Sequence, residues 1–541
     1  MLSLFRAGLV IVLLFVLIAC SSKPVKPLAK SWAIPASLTD KSRQSPLEIS
    51  VVRQTNKHRD KTGFYFIDTG VDAFSAMAGL ISAAKRSIDL QSFIYHDDRT
   101  GRLLAYKLLQ AADRGVRVRI LLDDFFSSSK TSLLATLDAH RNIEIRFFNP
   151  VSTVGWVRPI ALVAKFSKVT RRMHNKAFVV DDRVAIVGGR NVGDVYYAMH
   201  GDYQFTDLDV LSVGPAVNNI SRSFDNYWNS RWVVGVGAYS QFTNQSVKSV
   251  FVKKKQLQLR KNAAQLRNSK FMKAVRKSGI ATKLLQGHLP MLWSKSKLFY
   301  DPPEKVTGRR KHRKNYIMHQ IMPYLAQAKS EILIVTPYFV PRYSGLRWLK
   351  RLRKKGIKIT VLTNSYASND IPFAYIGYER YRRKLLKMGV KLYEFKPSAE
   401  STRRKGYSWL KHLPKAGLHA KLIIIDGKKL IIGSPNINAR SRNLDTEIAM
   451  LINSADISNQ MSALFRKLIK PENSYRVVLR KRDDYWREAD DLELDEEHEQ
   501  QLVWITHKRG KRVQYRQEPK TWFLGHLGVF FIGLFPIEGQ L

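Results

Sequence analysis

One short pattern of ionisable residues occurs twice in this chain of 541 residues. In each copy a histidine is followed two positions later by a lysine, and the lysine is followed five positions later by an aspartate. At ordinary residue frequencies such a pattern is expected on the order of a few hundredths of a time in a chain of this length, so two copies indicate an internal duplication. The copies are His174, Lys176 and Asp181, and His419, Lys421 and Asp426.

The segments around the two copies repeat as well. Each copy lies in a region where apolar, strand-like runs alternate with a helical stretch. Such alternation favours parallel strand pairing with helices on the sheet faces. We therefore predict an α/β fold with two similar halves, each a mainly parallel sheet flanked by helices, and an active site where the halves meet. The matching pairs are 87–94 with 331–338, 101–114 with 344–355, 115–122 with 356–362, and 144–150 with 391–397.

Composition and charge divide the chain into six parts. Apolar residues make up 45% of the sequence, which is typical of a folded globular protein. The predicted parts are a signal peptide (1–20), a tether (21–45), a first half (46–245), a basic connecting segment (246–315), a second half (316–470) and a C-terminal extension (471–541) with an acidic patch at 488–500 and an apolar end.

The first twenty residues indicate export and lipidation. Residues 7–19 are an apolar run that is too short for a comfortable membrane span and suits a signal-peptide core. The run ends at Cys20, which is the chain's single cysteine, so no intrachain disulfide is possible. Leu17 to Cys20 resembles a bacterial lipobox, in which the cysteine is lipidated. The resemblance predicts a lipid-anchored protein of the bacterial cell envelope that faces the periplasm, with the outer membrane favoured over the inner membrane.

The charge balance predicts an anionic partner. The formal net charge is +47, and basic runs at 253–255 and 309–314 lie in the connecting segment. These runs are either a solvated surface or a contact with anionic lipid headgroups. The apolar run at 522–535 is either a buried helix or a helix at the membrane interface. An exported protein does not meet chromosomal DNA, so we expect a phospholipid membrane surface as the partner and no nucleic acid.

Residue spacing gives the motifs a physical meaning. Residues two apart in a strand point to the same side, so each motif histidine shares a face with its lysine. Small residues follow, and they allow the backbone to approach a substrate closely. Asparagine amides further on are candidates for donating hydrogen bonds to phosphate oxygens. These candidate phosphate-binding residues are Gly189 and Asn191 in the first copy and Ser434 and Asn436 in the second.

Both motif regions resemble the phospholipase D superfamily over about residues 60–470. More narrowly, the segments 171–194, 207–217, 418–451 and 534–541 resemble the bacterial cardiolipin synthase C branch. The pair Tyr196-Tyr197 departs from that branch, which more often has an acidic residue there. The resemblance implies a metal-independent enzyme without a cofactor. It also implies that Asp207 and Glu447 orient the histidines.

The residue types then suggest a mechanism. A neutral imidazole can attack an anionic phosphodiester and form a phosphohistidine, while a second imidazole protonates the leaving alcohol. The superfamily's first motif more often supplies the nucleophile, so we assign that role to His174 and the acid–base role to His419. Lys176 and Lys421 neutralise the non-bridging oxygens. Asp181 and Asp426 are predicted to be structural.

The acceptor decides the reaction, and the sequence leaves it open. Resemblance favours transfer to phosphatidylglycerol, with phosphatidylglycerol or phosphatidylethanolamine as the donor. Water as acceptor would give a hydrolytic phospholipase D. A nuclease or phosphodiesterase fits the net charge but not the signal peptide, and two intact motif sets argue against a silent binding module.

Overall fold

The computed structural model describes residues 45–127, 131–151, 169–239, 249–399, 415–481, 500–508 and 510–519. Within these ranges two large sheets carry the two motif copies, as the duplication predicts. None of the helices in the described ranges is long and apolar enough to cross a membrane. Cys20, the acidic patch at 488–500 (apart from Gln500) and the apolar run at 522–535 lie outside the described residues.

The first half is built on a nine-stranded sheet in the order β10-β1-β8-β6-β5-β2-β3-β4-β9. The motif strand β5 pairs antiparallel with β2 on one side and with β6 on the other. The strands up to β10 are β1 (Thr62–Ile67), β2 (Ser87–Ser92), β3 (Arg117–Asp123), β4 (Ile143–Phe148), β5 (Ala177–Val180), β6 (Val184–Gly188), β7 (Tyr203–Thr206), β8 (Asp209–Val213), β9 (Val233–Gly235) and β10 (Leu292–Ser294).

The second half repeats this arrangement in a ten-stranded sheet in the order β11-β18-β17-β16-β12-β13-β14-β19-β20-β21. Its motif strand β16 lies between β12 and β17, as β5 lies between β2 and β6. The remaining strands are β11 (Ser296–Tyr300), β12 (Glu331–Val335), β13 (Lys358–Asn364), β14 (Lys391–Phe395), β15 (Lys415–Leu418), β16 (Leu422–Ile425), β17 (Lys429–Gly433), β18 (Ile448–Asn453), β19 (Ser474–Lys481), β20 (Gln500–Lys508) and β21 (Lys511–Tyr515).

Both sheets are mixed, which corrects the prediction that they are mainly parallel. Within the described parts of these two sheets, the parallel pairs are β2–β3 and β3–β4 and their counterparts β12–β13 and β13–β14, and a helix follows the first strand of each pair. The motif strands enter instead through tight hairpins. Asp181 and Asp182 in the first half, and Asp426 and Gly427 in the second, all have positive φ. Two consecutive positive φ values suit a hairpin turn, which joins antiparallel strands.

Helices cover the outer faces of the sheets, and the inner faces meet in a shared apolar core. In β5, Val179 belongs to the core between the sheets and Val180 to the outer core of the first half, because successive strand residues face opposite sides. Ile424 and Ile425 of β16 divide in the same way. The helices are α1 (Pro46–Asn56), α2 (Gly70–Ala83), α3 (Arg99–Asp113), α4 (Asp124–Ser127), α5 (Thr131–Asp138), α6 (Pro215–Trp228), α7 (Ser249–Leu266), α8 (Lys270–Ser278), α9 (Ile280–Leu285), α10 (Ile317–Ala326), α11 (Arg342–Lys354), α12 (Pro372–Lys387), α13 (Ala439–Asn443) and α14 (Ala455–Leu468).

The described part of segment 246–315 is integrated with both halves. Residues of α7, α8 and α9, among them Phe271 and Leu284, belong to the core of the first half. β10 then extends the first sheet beside β1, and β11 extends the second sheet beside β18. The chain therefore crosses from one sheet to the other at Lys295, and this crossing helps to fix how the two halves face each other.

Candidate active site

Beside each motif histidine, a short stretch of backbone from one half forms hydrogen bonds with a short stretch from the other half. β15, which leads into His419, pairs in parallel with β7 of the other half. On the opposite side of the interface, Met173 forms a parallel bridge with Thr446. The N–H of His174 donates to the carbonyl of Thr446 at 2.9 Å, and the N–H of His419 donates to the carbonyl of Thr206 at 2.8 Å. Each histidine is thus positioned by the half that does not contain it.

Each motif histidine also contacts a carboxylate that belongs to the other half, and we call these two residues the exchanged carboxylates. His174 Nδ1 lies 2.8 Å from Glu447 Oε2, and His419 Nδ1 lies 2.6 Å from Asp207 Oδ2. A carboxylate on one ring nitrogen fixes the tautomer and orientation of an imidazole and leaves the other nitrogen to react. All four side chains are buried. Each of the two histidine–carboxylate pairs therefore forms only when both halves are assembled.

The two lysines share this cleft with the histidines. Lys176 Nζ donates to the carbonyl of His174 at 2.7 Å, and Lys421 Nζ donates to the carbonyl of His419. Burial lowers the pKa of Lys176 to about 7 and that of Lys421 to about 8, although Glu447 and Asp207 oppose the effect. A phosphate anion bound nearby would raise the pKa of both lysines and hold their ammonium groups in the charged form.

Burial also sets the charge of the histidines and their carboxylate partners. Burial lowers the pKa of both His174 and His419, against the opposing effects of Glu447 and Asp207. Burial raises the pKa of the Asp207 carboxyl, but His419, Lys421 and Arg190 together outweigh it and leave that pKa lowered. These pKa directions indicate neutral imidazoles beside ionised carboxylates. A neutral imidazole is the form that can attack phosphorus.

These pKa directions predict the pH dependence of kcat/KM. The lysine charges are present below a pH of about 7 to 8 and are lost as the pH rises through that window. We expect kcat/KM for a short-chain, water-soluble donor to fall on the alkaline side in that window, since kcat/KM reports the free enzyme. The acid limb should lie below pH 6.5, because the histidine pKa values are lowered from that value. An alkaline limb above pH 10 would show that the lysines are not desolvated.

Two predicted phosphate-binding residues contact the orienting carboxylates. A Cβ at Gly189 would lie 2.2 Å from Asp207 Oδ1, so glycine makes room for that carboxylate. Ser434 Oγ donates to Glu447 Oε2, and Ser441 Oγ donates to Glu447 Oε1. Phosphate binding by Gly189 and Ser434 stays a prediction, and the contacts in the structure give them a supporting role beside the carboxylates.

The two asparagines differ in how far their amides are already used. Asn191 Nδ2 donates to Tyr196 Oη at 2.8 Å, and its Oδ1 accepts from the N–H of Ile94. Asn436 Oδ1 is buried and has no hydrogen-bond partner among the described residues. This oxygen is an acceptor, so it could take a hydrogen bond from a substrate hydroxyl, and phosphate binding by the two asparagines stays a prediction.

The motif aspartates connect elements within each half. The Asp181 carboxylate accepts from the backbone N–H groups of Lys85, Arg86 and Ser87. Asp426 accepts from the backbone N–H groups of residues 329–331 in the second half. Each aspartate therefore ties the motif hairpin to the start of the neighbouring strand, and a purely structural role for the two aspartates stays a prediction.

Aromatic rings line the site, and the sequence reasoning did not identify them as site residues. Phe93 lies edge-on to His174 with ring centroids 5.1 Å apart. Tyr196 and Phe205 lie 5.4 and 4.8 Å from the His419 ring. Their signal in the sequence is weak, because an aromatic residue next to a strand is most simply core. Among the described residues no group of three or more His, Cys, Asp or Glu side chains is placed to hold a metal ion.

Comparison with known proteins agrees with this geometry. The protein-family description "Cardiolipin synthase, PLD-like domain" matches residues 77–228 and 321–469, one segment in each half. Cardiolipin synthase C of Escherichia coli is 33% identical over 498 residues, covering 92% of this chain and 99% of that relative. Cardiolipin synthase B of Salmonella typhi is 23% identical over 394 residues, covering 73% of this chain and 77% of that relative.

A solved structure supports the fold. Phosphatidylserine synthase of Haemophilus influenzae superposes with a TM-score of 0.51 at 14% sequence identity. The match covers 79% of this chain and 91% of that structure. At this identity the comparison bears on the fold alone, and it spans both halves.

Proposed function

The chain belongs to the phospholipase D-like cardiolipin synthase family, and on that premise we propose that it transfers a phosphatidyl group from a donor phospholipid to phosphatidylglycerol, forming cardiolipin. The observation that carries the proposal is the pair of buried histidines, each held by a carboxylate of the other half. The 33% sequence identity to a cardiolipin synthase, over 99% of that relative's length, supports the choice of acceptor.

The residues divide the reaction into two displacements. In the first, His174 Nε2 forms a bond to phosphorus, the bond from phosphorus to the headgroup oxygen breaks, and His419 gives its proton to the departing alcohol. In the second, the acceptor hydroxyl gives its proton to His419 and forms the new ester bond while the phosphorus–nitrogen bond breaks. The negative charge of the bound phosphate raises the His419 pKa that burial lowers, so His419 takes up from solvent the proton that it gives to the departing alcohol.

The two lysines are proposed to stabilise the same phosphate. Lys176 and Lys421 both lie in the cleft, and each affects the electrostatics of the other half's histidine. Positive charge preorganised around the phosphorus stabilises the charge that develops on its non-bridging oxygens. His174 as the nucleophile is assigned from the superfamily pattern, because the two histidines have equivalent partners.

The products identify the reaction. Purified enzyme is supplied with isotope-labelled phosphatidylglycerol, with and without phosphatidylethanolamine, and the lipids are identified by mass. We expect labelled cardiolipin together with the released headgroup alcohol, and the two conditions identify the donor. Headgroup release with phosphatidic acid and no cardiolipin would make the protein a hydrolytic phospholipase D.

We also propose that the enzyme is anchored to the envelope through lipidated Cys20. The support is the Leu17–Cys20 sequence at the end of an apolar run. Several acyl chains on one cysteine would hold the protein on a membrane essentially permanently, since each buried CH₂ contributes about 0.8 kcal/mol. We expect wild type to incorporate labelled fatty acid and Cys20→Ala to remain soluble or uncleaved. Wild type without label would contradict the anchor.

The basic runs predict a salt-dependent contact with anionic lipid. Lys253 and Lys254 are exposed on α7, and charge at such a surface is screened over about 8 Å at physiological ionic strength. We expect a form lacking residues 1–20 to bind anionic vesicles at low salt and to lose most of that binding at high salt. Binding that is the same at low and high salt would show that these runs are only a solvated surface.

A further inference from the structure

An apolar groove of about 430 Å³ lies on the outer side of the second half, between α10, α11 and the loop that follows the second motif. Its wall includes Met318, Met322, Trp348 and Ile437. The volume falls in the range of small-molecule binding sites, which are mostly apolar with a few polar groups at fixed places. Among the described residues this groove is not filled by another side chain.

The rim of the groove is basic. Arg342, Arg347, Arg351 and Arg442 line it, and no Asp or Glu is among its lining residues. None of these four guanidinium groups forms an ion pair with a described carboxylate. His319 also lines the groove, and its pKa is lowered first by partial burial and then by the positive charge of Arg442 and other nearby cations. A positive rim around an apolar groove matches the chemistry of an anionic phospholipid.

The start of α11 adds a second feature to the rim. Its N-cap residue is Pro341, which provides no side-chain cap, so the first N–H groups of this thirteen-residue helix have no capping side chain. Uncapped N–H groups at a helix start favour an anion. Arg342 has a positive φ of 54°, which non-glycine residues rarely adopt. The chain thus turns sharply into the helix at the edge of the groove.

The equivalent helix of the first half, α3, begins differently. There Asp98 caps α3 by accepting from the N–H of Gly101, and it also accepts from the N–H of Asp194. Asp194 in turn forms an ion pair with Arg99. Because the two halves share their fold, this contrast separates the groove from features that the fold itself requires. The start of α3 is capped by Asp98 and its Arg99 is paired with Asp194, whereas the start of α11 is uncapped and lies beside a positive rim.

The groove lies close to the chemistry. A small void next to it is lined by Lys421 and Asn436 and shares Met318, Ile423 and Ile437 with the groove wall. Ile423 is two positions after Lys421, so the two side chains lie on the same face of the motif segment. A molecule in the groove would therefore pack behind the strand that carries Lys421.

We propose that this groove binds one acyl chain of an anionic phospholipid, with the phosphate held at the arginine rim and the start of α11. The inference rests on the proposed function in one respect, namely that the enzyme works on a phospholipid surface. A lipid held here would seat the outer side of the second half, at α10 and α11, on the membrane surface.

Photo-crosslinking tests the proposal. The full-length chain is mixed with vesicles containing phosphatidylglycerol that carries a diazirine in one acyl chain, and crosslinked peptides are mapped by mass. We expect label on peptides of α10 and α11, and we expect Arg347→Glu with Arg442→Glu to reduce it at least fivefold. Lys350→Glu is the matched control, since Lys350 is exposed on α11 outside the groove. It should change the label by less than twofold.

A second variant separates charge from shape. Met322→Trp adds volume inside the groove without changing charge, and it should reduce the same label on α10 and α11. Both groove variants should retain wild-type turnover of a short-chain, water-soluble donor, which needs no chain in the groove. Equal labelling of α10 and α11 in Arg347→Glu/Arg442→Glu and Lys350→Glu would overturn the inference. A labelled groove in an enzyme that makes no cardiolipin would overturn the proposed function and leave the groove assignment standing.

Discussion

We expect His174→Ala to form no phosphatidyl-enzyme and no transferred product, whereas His419→Ala should retain a slow reaction. The first change removes the group that bonds to phosphorus. The second removes a general acid and base, which contributes on the order of 10²–10⁴-fold to the rate. With a donor whose leaving group needs no proton, the first step of His419→Ala should recover and the second should stay slow.

Rapid-quench measurement of headgroup release and product formation separates the two steps. His288→Ala is the matched control, because His288 is exposed and lies between α9 and β10, outside the two motif segments. It should turn over at the wild-type rate. Equal recovery of both active-site variants with the activated donor would contradict the division of roles.

The second large effect concerns the exchanged carboxylates. Glu447→Gln should impair the step that depends on His174, although the two residues belong to different halves. Asp207→Asn should impair the step that depends on His419. The amide keeps the shape but loses the charge that holds the imidazole in its reactive tautomer, so we expect losses of about 10²–10⁴-fold.

Double variants test the exchanged pairing directly. Residues that act as one unit are strongly non-additive, so His174→Ala/Glu447→Gln should be no worse than His174→Ala alone. Asp225→Asn provides a control for the carboxylate-to-amide change, because Asp225 is half-exposed in an ion pair with Arg119. If Glu447→Gln affected the His419-dependent step instead, the pairing seen in the structure would not operate during turnover.

Much of the site is predictable from the sequence because the duplication repeats every chemical group. Finding His174 and His419 in equivalent contexts was enough to expect them to share a site. The exchanged contacts are not predictable in this way. They depend on β7 and β15 pairing across the interface, and each of these strands has four residues with no pattern that specifies its partner.

The error in sheet type has a local cause. The Asp181-Asp182 pair between two apolar runs is a hairpin signal, since aspartate tolerates positive φ better than most residues. The strand–helix alternation applies to the three parallel strands of each half, β2–β4 and β12–β14, and extending it to the motif strands was wrong. The groove beside α11 was also beyond the sequence, because it depends on small differences between two halves of the same fold.

The central claim is that phosphatidyl transfer proceeds through a covalent bond to one of two paired histidines. The most direct measurement is a trap. His419→Ala is mixed with an activated phosphatidyl donor, quenched in base because phosphohistidine is acid-labile, digested, and analysed for the mass of the adduct. The structure and the superfamily pattern together predict the adduct on the peptide that contains His174. An adduct on the His419 peptide of the His174→Ala variant would reverse the two roles. No adduct on either histidine, with both alanine variants still turning over, would contradict the two-histidine mechanism.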